Sequence, residues 1–150
     1  MKKNVIIGLL ALMGIALTGC QTNAPCNFHK KTVDMPVQSS EWQFDKDLQQ
    51  FYVRFTIDWI TSDVYNYGEF SVHREYNSGT KDAYQVALPQ SQYLWENVQD
   101  STGTETTVYY QQLVDYRIGV GYVEIQVTNS DYFYGDYKPE DMLFRLQLTY

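Results

Sequence analysis

The stretch FYVRFTIDW, residues 51–59, alternates without a break. Phe51, Val53, Phe55, Ile57 and Trp59 fall on one side, and Tyr52, Arg54, Thr56 and Asp58 on the other. Successive side chains of a β-strand point to opposite faces, so this pattern predicts a strand with one face buried and one wet.

Working outward, the same period of two recurs along the chain. Val33, Met35 and Val37 alternate with polar neighbours, and similar runs cover 69–76, 83–88, 93–98, 107–118, 122–128 and 142–149. The last of these places Met142, Phe144, Leu146 and Leu148 on one side. Turn chemistry separates the runs: NSGTKD after Tyr76, DSTGTE after Gln99 and GVG at 119–121 supply residues that tolerate positive φ. Pro139 in KPED suits a type I turn. Only TSDVYNYG, 61–68, reads as a helical turn, with Gly68 as its stop. Short strands with closely spaced turns predict an all-β fold, an antiparallel β-sandwich of about seven to eight strands, immunoglobulin-like or jelly-roll-like. A small closed barrel is the alternative.

The front of the chain has a different character. A basic start, Met1-Lys2-Lys3, leads into an apolar run from Val5 to Leu17. This is the pattern of a secretory signal peptide, and the run is short of the roughly 20 apolar residues of a transmembrane helix. Leu17-Thr18-Gly19-Cys20 resembles the lipobox of bacterial lipoproteins. The resemblance implies cleavage before Cys20, lipidation of its sulfur and acylation of the freed amine. Buried methylenes contribute about 0.8 kcal/mol each, so several acyl chains anchor durably where one does not. Gln21 stands where an Asp would imply retention at the inner membrane, so the chain resembles the outer-membrane class. The tether carries no acidic run of the kind that marks surface display, leaving both the periplasmic and the outer face open. The expected organisation is a signal helix at 1–19, a lipidated cysteine and tether at 20–31, and a β-sandwich domain at 32–150.

Further residues extend the likeness. Together with the lipobox, Trp42, ITSDVYNYGEFSVHREY at 60–76, ALP at 87–89 and GVGYVEIQV at 119–127 resemble small Bacteroides-type lipoproteins with a β-sandwich body. That resemblance implies a fold and an envelope location, and it implies no activity.

Composition narrows the function. The formal charge is −7 for the chain; loss of Lys2 and Lys3 with the leader would make it −9. Such acidity repels phosphate backbones and disfavours nucleic acid. Of the two cysteines, lipidation would consume Cys20, leaving Cys26 as a lone thiol in the tether, so cysteine metal clusters are excluded.

His73 is the one histidine of the folded body, and alternation puts it on a face with Glu69, Ser71 and Glu75. Side chains two apart on a strand stand about 6.8 Å from each other and point the same way, which is poor geometry for a triad. No nucleophile elbow is present. Eighteen acidic residues leave a paired-carboxylate hydrolase conceivable, but a chain this small has little material for a cleft. The segment NSDYFYGDYKPED, 129–141, gathers Tyr132, Phe133, Tyr134 and Tyr137 beside carboxylates. Exposed rings stack on sugar faces or on proteins, and the calcium loop spacing is missing. The residues therefore point to a non-catalytic binding or accessory module for a glycan or an envelope protein, with Tyr132, Phe133, Tyr134 and Tyr137 as its contacts. No cofactor or metal is expected, and the membrane is met through lipid at Cys20. A structural component of an envelope assembly is the second reading, and a small hydrolase the third. Tyr109 and Tyr110 are adjacent in a strand, so one of them must face outward.

Overall fold

The computed structural model describes residues 29–99, 101–130 and 138–150. Among them, the elements run in the order β1 (Lys30–Val37), a 3-10 turn (Ser39–Glu41), β2 (Gln43–Asp45), β3 (Gln50–Thr56), α1 (Ser62–Tyr67), β4 (Glu69–Tyr76), β5 (Tyr84–Ala87), β6 (Gln90–Gln99), β7 (Glu105–Gly119), β8 (Tyr122–Asn129) and β9 (Met142–Thr149). Two antiparallel sheets pack as a sandwich, one of four strands in the order β1-β9-β4-β5 and one of five in the order β2-β3-β8-β7-β6. The expected sandwich is what forms. The extra strand over expectation, β2, is three residues long.

Each sheet contributes its apolar side to one core. From β9, Met142, Phe144, Leu146 and Leu148 point inward, flanked in register by Met35 and Val37 of β1 and Val72 of β4. The other sheet supplies Phe51 and Val53 from β3, Val123, Ile125 and Val127 from β8, and Val114 from β7. Trp42 closes one flank, fully enclosed, with its indole N–H donating to the Glu140 carbonyl at 3.3 Å. The outward alternates of β3 are Tyr52, Arg54 and Thr56, as period two requires.

Two expectations are corrected in detail. Gly68 does end α1, its N–H donating to the Val64 carbonyl at 2.8 Å, but at φ −83° it is not left-handed. Glycine stands here for space: a Cβ would lie 2.6 Å from the Val64 carbonyl oxygen and 2.7 Å from Leu148 Cδ1. Residues 138–141 do not close a turn about Pro139. They lie against the 3-10 turn, where Lys138 Nζ donates to the Ser40 carbonyl and the Ser39 N–H donates to Asp141 Oδ1.

Strand directions give the sandwich two distinct ends. At one, which we call proximal, His29 and Tyr150 exchange backbone hydrogen bonds and Lys31 Nζ sits 4.8 Å from the Trp59 ring centroid. The β7–β8 turn lies here too, tied to the 57–60 loop by Gly121 N–H to the Ile60 carbonyl. The β6–β7 turn, the end of β8 and the start of β9 lie at the opposite, distal end.

At the distal end β7 outruns its neighbour. Asn129, the last residue of β8, pairs with Gln112, so among the described residues 105–110 of β7 pair only with β6. At about 3.4 Å per residue this leaves roughly 20 Å of two-stranded ribbon beyond the body. A row of amides marks its root: Gln92 Nε2 donates to Gln112 Oε1 at 3.1 Å, and Gln112 Nε2 to Asn129 Oδ1 at 3.3 Å.

Candidate functional site

The ribbon carries the most exposed aromatic group of the described chain. Along β6, Tyr93 and Trp95 alternate with Leu94 and Glu96; along β7, Tyr109 precedes the buried Tyr110. Pairing sets Trp95 directly opposite Tyr109 and Tyr93 opposite Gln111, so the three rings share the outward face. Tyr93 is 81 %, Trp95 66 % and Tyr109 74 % exposed. Leu113, two residues further along the same face, is also exposed. The neighbouring positions are polar but mutually engaged: Thr107 Oγ1 donates to Asn97 Oδ1, and Gln111 Nε2 to Ser91 Oγ. Apolar area this large and this solvated on one rung is unfavourable unless something covers it.

On the inner side of the ribbon root lies a recess of about 270 Å³, bordered by Leu94, Tyr110, Gln112, Trp95, Lys138 and Glu140. Glu140 also receives the Arg74 guanidinium, Nη2 to Oε1 at 2.7 Å. Arg74 faces the core side of β4 and is almost wholly enclosed, with its other terminal nitrogen unpartnered.

Tyr132, Phe133, Tyr134 and Tyr137, the contacts expected from sequence, lie outside the described residues, as do Cys20 and Cys26. The flanks of that segment are described. Ser130 is pinned to Gln111 by a pair of hydrogen bonds, and Lys138 borders the recess beside Trp95. The ends of the expected contact segment and the ring-bearing ribbon therefore meet at the distal end of the sandwich.

The outer face of the four-stranded sheet carries Glu69, Ser71, His73 and Glu75, as alternation requires. Their chemistry is that of a polar surface. Glu75 accepts from Gln85 Nε2 at 3.1 Å and lies 3.4 Å from Arg145 Nη2, which itself belongs to the Arg145–Asp34 ion pair. A hydrogen bond from Ser78 first, then those with Gln85 and the Arg145 charge, hold the Glu75 carboxyl below its usual range; Arg145 does the same for Asp34. His73 Nδ1 is buried without a partner, so no Ser–His–acid relay is assembled on this strand. Among the described residues no group of three or more metal-ligating side chains occurs, and no helix is long and apolar enough to cross a membrane.

Sequence reasoning required one of Tyr109 and Tyr110 to face outward without saying which, and overlooked Tyr93 and Trp95; the outward one is Tyr109. The available signal was their spacing of two, opposite Leu94. Comparisons with family models, curated proteins and solved structures give no match to this chain.

Proposed function

We propose that the protein is a non-catalytic binding module of the cell envelope, moored by lipid on Cys20, whose contact face is the ring group Tyr93, Trp95 and Tyr109. The observation that carries this reading is the placement of three solvated rings on one face of a ribbon at the end opposite the chain's first described residue. From Gly119, near the proximal end, to Tyr109 is ten residues of strand, or about 34 Å. A leash attached before His29 would hold the proximal end toward the lipid and present the rings away from it.

The preferred ligand is a glycan. Indole and phenol rings lose little entropy when they stack on the C–H faces of sugars, and the exposed cross-strand pair Trp95 and Tyr109 offers area without a deep pocket. An envelope protein is the other ligand these rings accept. Tyr132, Phe133, Tyr134 and Tyr137 belong to the same proposal, since their segment leaves and re-enters the described chain at the ribbon root.

The test is capture by the full chain from a glycan array and from envelope extract. Trp95→Ala with Tyr109→Ala is expected to weaken the captured ligand at least tenfold, with stability moving by no more than about 0.5 kcal/mol because both rings are exposed. Undiminished capture by that variant would overturn the assignment of the face, and Tyr132→Ala with Tyr134→Ala reports on the adjoining segment.

One feature favours the second reading, a structural part in an envelope assembly. β6 is the outer strand of its sheet and ten residues long, and such an edge can accept a strand from a neighbour. Captured material that is another protein, with backbone amides of β6 protected on binding, would decide for it.

A further inference from the structure

The outer face of the five-stranded sheet holds a second feature, far from the rings. One rung across three strands reads Arg54 of β3, Glu124 of β8 and Arg117 of β7. Glu124 is 5 % exposed and fully engaged. Its Oε2 accepts from Arg54 Nε at 2.9 Å and Nη2 at 2.6 Å, and its Oε1 accepts from Gln126 Nε2 at 2.7 Å. Arg54 is held from above as well, its guanidinium 4.4 Å from the Tyr122 ring centroid. The second arginine of the rung is left over. Arg117 is exposed and makes no ion pair with any described residue, on a chain whose formal charge is −7.

Arg117 does not face open water alone. It lines a groove of about 450 Å³ whose floor is the Arg54–Glu124 pair and whose wall is Gln43, Gln50 and Tyr52. Asp45 also borders it, but its Oδ1 is taken by the N–H groups of Asp47 and Leu48 in the β2–β3 turn. The volume lies in the range of small-ligand sites. The available chemistry is one unpaired planar cation, suited to a carboxylate by its two-pronged donor geometry, beside the Gln50 amide, the Gln43 amide N–H groups and the Tyr52 phenol oxygen, whose own O–H donates to Gln43 Oε1 at 2.9 Å.

We propose that this groove is a subsite for a sugar acid, with the Arg117 guanidinium taking the carboxylate and Gln43, Gln50 and Tyr52 meeting ring hydroxyls. It rests on the reading of the protein as a glycan binder and narrows the class of glycan to one bearing uronic acids. Along β7, Arg117 and Tyr109 are eight residues apart on the same face, about 27 Å, so an extended acidic chain could lie over both.

The two readings fail separately. The full chain in detergent is titrated with glucuronate, glucose, acetate and inorganic phosphate while the arginine Nε–Hε resonances are followed by NMR. Saturable movement of the Arg117 resonance with glucuronate is expected, with little from glucose and binding at least tenfold weaker for acetate and phosphate. Arg117→Gln is expected to weaken glucuronate binding, reported by the Arg54 resonance, at least tenfold; Arg117→Lys should fall between. Tyr67→Ala, an exposed ring of α1 outside the groove, should leave this monosaccharide titration unchanged. The subsite is overturned by a silent titration, by equal response to glucose, by acetate or phosphate matching glucuronate, or by a full response in Arg117→Gln. A positive titration with no glycan polymer captured by the rings would leave the subsite standing and sink the glycan reading of the ribbon.

Discussion

Replacing Arg74 by methionine is expected to make the protein more stable. Arg74 is 4 % exposed and lies in register between Val86 and Phe144, on the side of β4 that faces the core. Stripping water from a guanidinium costs several kcal/mol, roughly, after relaxation. Three things offset this: the 2.7 Å bond to Glu140, the Tyr76 ring at 4.5 Å, and the contacts of the aliphatic stem. The Glu140 side chain is 72 % exposed, so water attenuates its attraction. Nη1 has no partner, a further cost of about 1–3 kcal/mol. Methionine keeps the stem and removes both burdens, for a gain of about 1–3 kcal/mol. Thermal and urea unfolding would read this as a Tm increase of about 4–10 °C with an unchanged m-value. Glu140→Ala, by contrast, should cost about 2 kcal/mol in the parent and almost nothing in the Arg74→Met background. If the methionine variant is less stable than the parent, the desolvation argument is wrong. If Glu140→Ala costs the same in both backgrounds, the loss does not come from the ion pair with Arg74.

Two further outcomes follow from the geometry. Gly68→Ala should destabilise by about 1–3 kcal/mol in urea melts, because the new methyl meets the Val64 carbonyl and Leu148; φ is ordinary there, so without the clash alanine would stabilise by about 0.4–1 kcal/mol and the sign alone decides. Asp34 has a lowered folded-state pKa through its Arg145 hydrogen bond, so its contribution is present above the usual carboxylate range and is lost as pH falls through the lowered value. Stability measured from about pH 5 down to pH 2 should decline less steeply in Asp34→Asn, by about 0.5 kcal/mol at most for so exposed a pair; an identical slope would show the pair to be without effect.

Much of the scaffold was legible because one face of each strand had to be apolar. The runs at 69–76 and 142–149 coincide with β4 and β9, where inward residues alternate cleanly with outward ones. β2 was missed because three residues cannot display a period. β6 begins earlier than expected, at Gln90, since the polar Gln90, Ser91 and Gln92 join the strand through backbone pairing and the amide row rather than through burial. The candidate site was harder to read for a physical reason. Alternation puts Tyr109 and Tyr110 on opposite faces of β7, Tyr110 on the side of the buried Gln112 and Val114, but it does not say that Tyr109 would stand opposite Trp95, which the pairing with β6 decides. Nor does composition reveal that Glu124, with an outward position on β8, would be covered by Arg54 and leave Arg117 unmatched.

The amide row Gln92–Gln112–Asn129 acts as an index pin for the ribbon. Sliding β6 against β7 by two residues would preserve which side of each strand is wet, so oil-and-water sorting alone does not forbid it. It would, however, set Gln92 against Tyr110 or Val114 and strand enclosed amide groups without mates. The same misalignment would move Trp95 away from Tyr109, to face Thr107 or Gln111. Three modest side chains at the root thus keep two large ones further along the ribbon in alignment.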